Sequence, residues 1–259
     1  MDLGIAGRNA IVGASSRGLG RACATALARA GARVAINSRD AALLAKVRGE
    51  IAAATGAEVV AVAGDMSTEE GRAALLGAFD RVDILVNNNG GPPPRDWRKV
   101  DRDAAIAGLE ANMLAPLALI QAVIDPMVER RFGRIVNITS GSVKAPLAGL
   151  ELSSGARAGL TGFVAGIARS VAYANVTINN LLPGAFDTDR IHALNASLAK
   201  QSGEDVETVR ARREQAIPAR RFGDPAEFGA ACAFLCSAQA GYITGQSLLI
   251  DGGAFPGIL

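Results

Sequence analysis

The chain has 259 residues, 49% of them apolar and 20% charged, enough to bury a large core and too apolar to remain disordered. Lys plus Arg number 27 against 25 Asp plus Glu, a balance that provides no field to gather nucleic acid or an anionic membrane. Cys23, Cys232 and Cys236 are odd in number and form no CxxC pair, and the one histidine, His192, has no Cys or His at ligand spacing. No metal site is expected, and buried thiols in a reducing cytoplasm are.

The apolar runs, in chain order, are NAIVGA from Asn9, RVAINS from Arg33, EVVAVAG from Glu58, VDILVNN from Val82, GRIVNITS from Gly133, NVTINNLLP from Asn175 and QSLLIDGG from Gln246. Apolar residues at successive positions suit strands buried on both faces of a parallel sheet. Between them lie segments such as LGRACATALARAG from Leu19 and PAEFGAACAFLCS from Pro225, apolar at three and four. Alternation of strand and helix predicts a doubly wound α/β sheet of about seven strands, with helices on both faces, in a single domain spanning 1–259. Residues 187–217 interrupt the rhythm with two polar helical segments and no strand. An insertion at the carboxyl edge of the sheet is expected to be a substrate lid. No charged leader with a long apolar stretch opens the chain, and no run reaches the ~18 apolar residues of a membrane span, so a soluble, unexported protein is expected.

IVGASSRGLG, Ile11 to Gly20, passes from the first strand into an amphipathic helix through small residues. Gly18 and Gly20 allow close backbone approach, and the helix N-terminus offers free N–H groups to a pyrophosphate. At the end of the second strand stand Ser38 and Arg39, and Arg17 precedes Gly18 in the turn. An acidic residue there would bind a ribose 2′-hydroxyl, whereas two guanidinium groups unopposed by a carboxylate suit a 2′-phosphate, so NADP(H) is expected over NAD(H).

The chain resembles the short-chain dehydrogenases/reductases, whose first turn reads Thr-Gly-x-x-x-Gly-x-Gly. With the last two glycines aligned, Gly13 stands at the Thr and Ala14 at the first Gly. AGDMS places Asp65 at the family's adenine-side aspartate, LVNNNGG matches Asn-Asn-Ala-Gly with Asn89 at the Ala, EANMLAP supplies Asn112, RIVNITS supplies Ser140, and NNLLPGAFDT supplies Pro183, Gly184 and Thr188. GGPPP after the fourth strand and GYITGQSLLIDGG at the last look most like the 3-oxoacyl-carrier-protein-reductase-like branch. The resemblance spans almost the whole chain and implies a Rossmann-type fold and a homodimer or homotetramer. It implies cofactor contacts from Gly13, Ser15, Ser16, Arg17, Gly18, Leu19, Gly20, Ser38, Arg39, Asp65, Met66, Asn89, Gly90, Arg157, Pro183, Gly184 and Thr188.

In that family a serine polarises the substrate carbonyl, a tyrosine transfers the proton, and a lysine four residues on lowers the tyrosine pKa and holds the nicotinamide ribose, with an asparagine completing the relay. Asn112 and Ser140 match. The usual separation from Ser140 lands on Ser153 for the tyrosine and Arg157 for the lysine, and Tyr173 and Tyr242 cannot be moved into register. Serine ionises far less readily than phenol, so Ser153 is expected to position a water, and Arg157 to bond the ribose and present fixed charge to a developing alkoxide. Lys144, four residues after Ser140, is a second candidate as proton donor or anion clamp if desolvation and Arg157 lower its pKa. Glu151 is a weaker one, and His192 is expected to cap or decorate the insertion helix. The implied activity is NADP(H)-dependent interconversion of a small-molecule or acyl carbonyl and an alcohol with non-standard proton transfer. Two alternatives are a redox-neutral lyase or dehalogenase, as in the halohydrin dehalogenases, which keep the tyrosine and abandon the dinucleotide turn, and a non-catalytic NADP(H) sensor.

Overall fold

All seven apolar runs form strands: β1 (Asn9–Val12), β2 (Arg33–Ser38), β3 (Val59–Ala63), β4 (Ile84–Asn87), β5 (Gly133–Ile138), β6 (Val176–Pro183) and β7 (Ser247–Ile250). They pair in parallel in the order β3-β2-β1-β4-β5-β6-β7 in the computed structural model, which describes residues 2–92 and 94–257. Pro93, in the GGPPP stretch, lies outside them. Burial explains the uninterrupted apolar runs. In β1, Ile11 joins a layer with Leu85, Ile135, Ile178, Ile120 and Leu160. Its neighbour Val12 joins the opposite layer with Val86, Val136, Leu181, Leu27 and Phe228. The central β5 is buried along its whole length, whereas the edge strands β3 and β7 are partly exposed.

The helices are α1 (Gly18–Arg29), α2 (Ala41–Thr55), α3 (Glu69–Leu76), α4 (Arg102–Leu109), α5 (Ala115–Glu129), α6 (Glu151–Val171), α7 (Asp189–Ser202), α8 (Val206–Gln215) and α9 (Pro225–Leu235). A π-helical turn, Glu110–Leu114, joins α4 to α5. The continuous stretch Arg102–Glu129 is long and apolar enough to cross a membrane by length and composition. Here Leu117, Leu119, Ile120, Val123 and Met127 are buried in the core beside the sheet.

After β3 the chain returns to the other side of β1, so the carboxyl ends of β1 and β4 bound the crevice where connections diverge to opposite sides. Such switch points are where open α/β sheets bind ligands. Side-chain amides tie the strands beneath it. Asn87 donates to Asn137 at 2.9 Å, Asn137 to Asn180 at 3.1 Å, and Asn180 to the Ser247 hydroxyl at 3.2 Å, a ladder across β4 to β7. Helices α7 and α8 occupy the interrupted region as two helices, and the segment returns where Phe186 pairs with Gly223.

Candidate active site

At the β1–α1 turn the backbone does what the sequence pattern asks, with one residue under strain. Ala14 adopts φ 41°, the left-handed region where the family pattern has glycine. Two side chains hold it: Asn88 donates to the carbonyls of Gly13 and Ala14 at 3.2 and 3.1 Å, and the Asn37 amide oxygen faces the Ala14 N–H at 3.5 Å. A left-handed L-residue costs roughly 1–2 kcal/mol. Ala14→Gly is therefore expected to raise the melting temperature by roughly 2–4 °C in a chain of this size, measured by thermal unfolding followed by circular dichroism.

Gly20 cannot be enlarged, because a Cβ there would stand 2.5 Å from the Ala14 carbonyl oxygen and 2.6 Å from the Asn88 amide nitrogen. Helix α1 starts after Arg17 with no side-chain cap, unlike α2, α3, α4, α8 and α9, which are capped by Asp40, Thr68, Asp101, Asp205 and Asp224. Its first N–H groups are left to a ligand, which fits a phosphate group and with it a dinucleotide. Thr188 faces Gly18 across the groove, and Gly90 opens onto free space.

Several residues in this region brace the turn rather than present themselves. Ser15 is fully buried, its hydroxyl donating to Val12 O at 2.8 Å and accepting the Asn37 N–H at 2.9 Å, so its expected cofactor contact is corrected to a structural one. Met66 is buried against Gly13. The two arginines are not free of carboxylates either, as the sequence had suggested: Arg17 stands 3.6 Å from Asp189 and Arg39 stands 3.7 Å from Asp65. Both pairs are long and exposed, contacts of little strength that a phosphate displaces readily. Asp65 is held below the usual carboxylate range chiefly by the Ser67 hydroxyl and N–H.

At the end of β5, Ser140 caps a short 3₁₀ turn, Gly141–Val143. Its Oγ accepts the Ser142 N–H at 3.1 Å and the Ser142 hydroxyl at 2.8 Å, and Ser142 in turn accepts the Ser154 hydroxyl at 2.8 Å. With two donors on the Ser140 oxygen, its own hydroxyl hydrogen is left available to a ligand. Ser153 is buried and donates to the Leu150 carbonyl at 3.2 Å, a bond local to its helix. The neighbouring Ser154, through Ser142, makes the hydroxyl link to Ser140.

Arg157 is buried, and one guanidinium nitrogen donates to the carbonyls of Ile138 and Thr139 at 2.8 and 2.9 Å. A second nitrogen faces Asn89 O at 3.5 Å. Through these bonds Arg157 clamps the end of β5 immediately before Ser140. Burial, then the nearby Arg190, pull its pKa down to about 10, which leaves it charged at any working pH. Among the described residues no carboxylate lies in salt-bridge range of Arg157 or Arg190, and both guanidinium groups converge on Gly91. That convergence favours an anion at the mouth of the site.

Asn112 sits in the π-helical turn, donating to Gly108 O at 3.3 Å. Its amide oxygen and that of Asn87 are buried without partners and line one small cavity with Arg157, Asn89 and Ile138. Asn89 fastens this turn by donating to Ala111 O at 3.0 Å. Lys144 is exposed and lies 5.9 Å from the Phe255 ring centroid, so the desolvated ammonium expected at the site is absent. Glu151 accepts from Gly149 N and makes no contact with Arg157. His192 is neither a cap nor mere decoration: it bonds Asp187 at 2.6 Å, and Arg210 and His192 together hold Asp187 below its usual range.

A family model described as Enoyl-(Acyl carrier protein) reductase matches residues 13–254. The chain belongs to the short-chain dehydrogenase/reductase family. Among its relatives in that family, the NADPH-dependent reductase BacG of Bacillus subtilis is 32% identical over 256 residues, covering 97% of this chain and 99% of the relative. The 3-oxoacyl-[acyl-carrier-protein] reductase FabG of Vibrio cholerae is 34% identical over 256 residues, covering 98% and 99%. The structure of L-sorbose reductase from Gluconobacter frateurii, a complex with NADPH and L-sorbose, superposes with a TM-score of 0.94 at 28% identity over all of both chains. Within this short-chain dehydrogenase/reductase site, Asn88, Ser142, Ser154 and Arg190 are the residues that the sequence pattern did not single out. Ser142 and Ser154 were legible only as small residues near Ser140, since nothing in the spacing says that their hydroxyls meet.

Proposed function

We propose that the protein is an NADP(H)-dependent oxidoreductase that interconverts a carbonyl and an alcohol, with Ser140 binding the reacting oxygen. The observation that carries this reading is the Ser140 hydroxyl, whose two lone pairs are engaged by Ser142, so that its remaining proton is free to donate to a substrate oxygen. Bound at the switch point, the reduced nicotinamide supplies the hydride. The chain's own residues do the rest: the uncapped start of α1 holds the pyrophosphate, Arg17 and Arg39 attract the 2′-phosphate, and Arg157 fixes the backbone that carries Ser140. Arg190 with Arg157 favours a substrate or cofactor anion at the mouth, and α7 with α8 form a lid over it. The reductase relatives support the reaction class, and their NADPH dependence supports the choice of cofactor.

A homodimer or homotetramer is part of the proposal. Along α6 a Cβ at Gly155, Gly162 or Gly166 would meet nothing, and Phe163 is exposed, a surface shaped for close packing of another helix.

The test is a nicotinamide-fluorescence titration with NADPH and NADH, followed by absorbance loss on mixing NADPH with acetoacetyl-CoA, L-sorbose and 9,10-phenanthrenequinone. NADPH is expected to bind more tightly than NADH, and Arg39→Ala to weaken NADPH about tenfold while leaving NADH unchanged, the loss of one charge-assisted contact. Equal affinities for the two dinucleotides in the unmodified protein would remove the 2′-phosphate assignment.

A further inference from the structure

The tyrosine register holds a serine whose hydroxyl bonds its own helix, yet a continuous hydroxyl chain runs past it. Ser154 donates to Ser142 and Ser142 to Ser140, each at 2.8 Å. The middle residue is buried, whereas Ser140 and Ser154 are both partly exposed, so the chain joins two solvent-reachable serines through a buried one. Each serine hydroxyl is at once donor and acceptor, and a chain of them can pass a proton by shifting every hydrogen one oxygen along. Ser154 also lies in the first turn of α6, where the positive end of the helix dipole favours negative charge arriving on its oxygen.

We infer that Ser140, Ser142 and Ser154 form a proton relay that supplies the proton of carbonyl reduction, a role that rests on the oxidoreductase reading above. The step balances. The substrate carbon gains the hydride and its C=O π pair moves onto oxygen. That oxygen forms an O–H bond with the Ser140 proton, Ser140 takes the Ser142 proton, and Ser142 takes the Ser154 proton. Ser154 recovers a proton from a water at its exposed side, and the hydroxide left behind takes up the solvent proton that the overall reduction consumes. No serine has to exist as a free alkoxide if the shifts accompany hydride arrival, which removes the objection that serine ionises too weakly to serve as a lone acid.

Ser142 and Ser154 are tested by Ser142→Ala, Ser154→Ala and the hydroxyl-retaining Ser154→Thr, using whichever of acetoacetyl-CoA, L-sorbose and 9,10-phenanthrenequinone the unmodified enzyme turns over. Both alanine variants are expected to lower kcat about a hundredfold, with NADPH affinity by nicotinamide fluorescence unchanged and Ser154→Thr restoring the rate. In mixtures of light and heavy water the unmodified enzyme is expected to show a curved dependence of rate on deuterium fraction, the mark of several protons in motion, and Ser154→Ala to straighten it. Unchanged kcat in Ser154→Ala, or a straight dependence in the unmodified enzyme, overturns the relay and leaves the oxidoreductase reading standing. Failure of the unmodified enzyme to consume NADPH with any of the three probes overturns that reading and the relay with it.

Discussion

Arg157→Met is expected to lower the melting temperature by roughly 5–10 °C, the shift that a net loss of about 2–3 kcal/mol gives in a chain of this size. The loss has opposing parts. Removing the guanidinium strips the carbonyls of Ile138 and Thr139 of their donors at 2.8 and 2.9 Å, and buried acceptors left unpaired cost about 1–3 kcal/mol each. It also relieves a buried cation facing Arg190, which returns part of that sum. The pH dependence separates the two. The folded-state pKa of about 10 lies below the ordinary guanidinium value, so above about pH 10 the unfolded chain binds more protons and stability rises with pH only in that alkaline window. Between pH 6 and pH 9 the group is charged in both states, and the difference in melting temperature between the variant and the unmodified protein should stay constant. Arg157→Lys, which keeps a cation on a shorter side chain with fewer donors, should recover part of the stability. A melting temperature unchanged in Arg157→Met would mean that the clamp on β5 is dispensable.

The architecture was legible because burial on both faces of a parallel sheet leaves a strong imprint. Each of the seven runs became a strand, since neighbouring residues such as Ile11 and Val12 face different cores and both must be apolar. The phosphate-binding turn was legible in outline, because small residues there answer a steric need: no Cβ fits at Gly20. Its internal bracing was not. Ser15 looks like a ligand-facing serine in the sequence, and only the three-dimensional path shows its hydroxyl enclosed between Val12 and Asn37. Arg157 reads as a site residue by its register, but nothing in the sequence shows that α6 points it under the end of β5, where it donates to the carbonyls of Ile138 and Thr139. The serine chain is the hardest case. It joins residues 140, 142 and 154 across a turn and a helix start, and a one-residue difference along α6 decides whether a hydroxyl meets Leu150 or Ser142.

Ser140→Ala should reduce kcat/KM by roughly 10²–10³, the usual loss when one positioned donor to a developing oxyanion is removed. NADPH affinity should not change, because the residues proposed to grip the phosphates lie at the β1–α1 turn and the end of β2, while Ser140 follows β5. Stability should fall only modestly: the alanine removes the acceptor for the Ser142 N–H, a cap contact of about 0.5–2 kcal/mol, and that for the Ser142 hydroxyl, which can rotate to another partner. A rate loss of a hundredfold or more corresponds to about 2.7 kcal/mol or more of transition-state stabilisation, so turnover should fall well out of proportion to any fall in melting temperature. Ser140→Thr, which retains the hydroxyl, should keep more activity than the alanine variant if the hydroxyl hydrogen is what matters. Should both variants lose rate equally, the packing of the 3₁₀ turn rather than the hydroxyl would account for the effect. Should Ser140→Ala remain fully active, the carbonyl oxygen must be held by another group, and Arg157 with Arg190, which converge on Gly91 without a carboxylate partner among the described residues, would supply the positive charge.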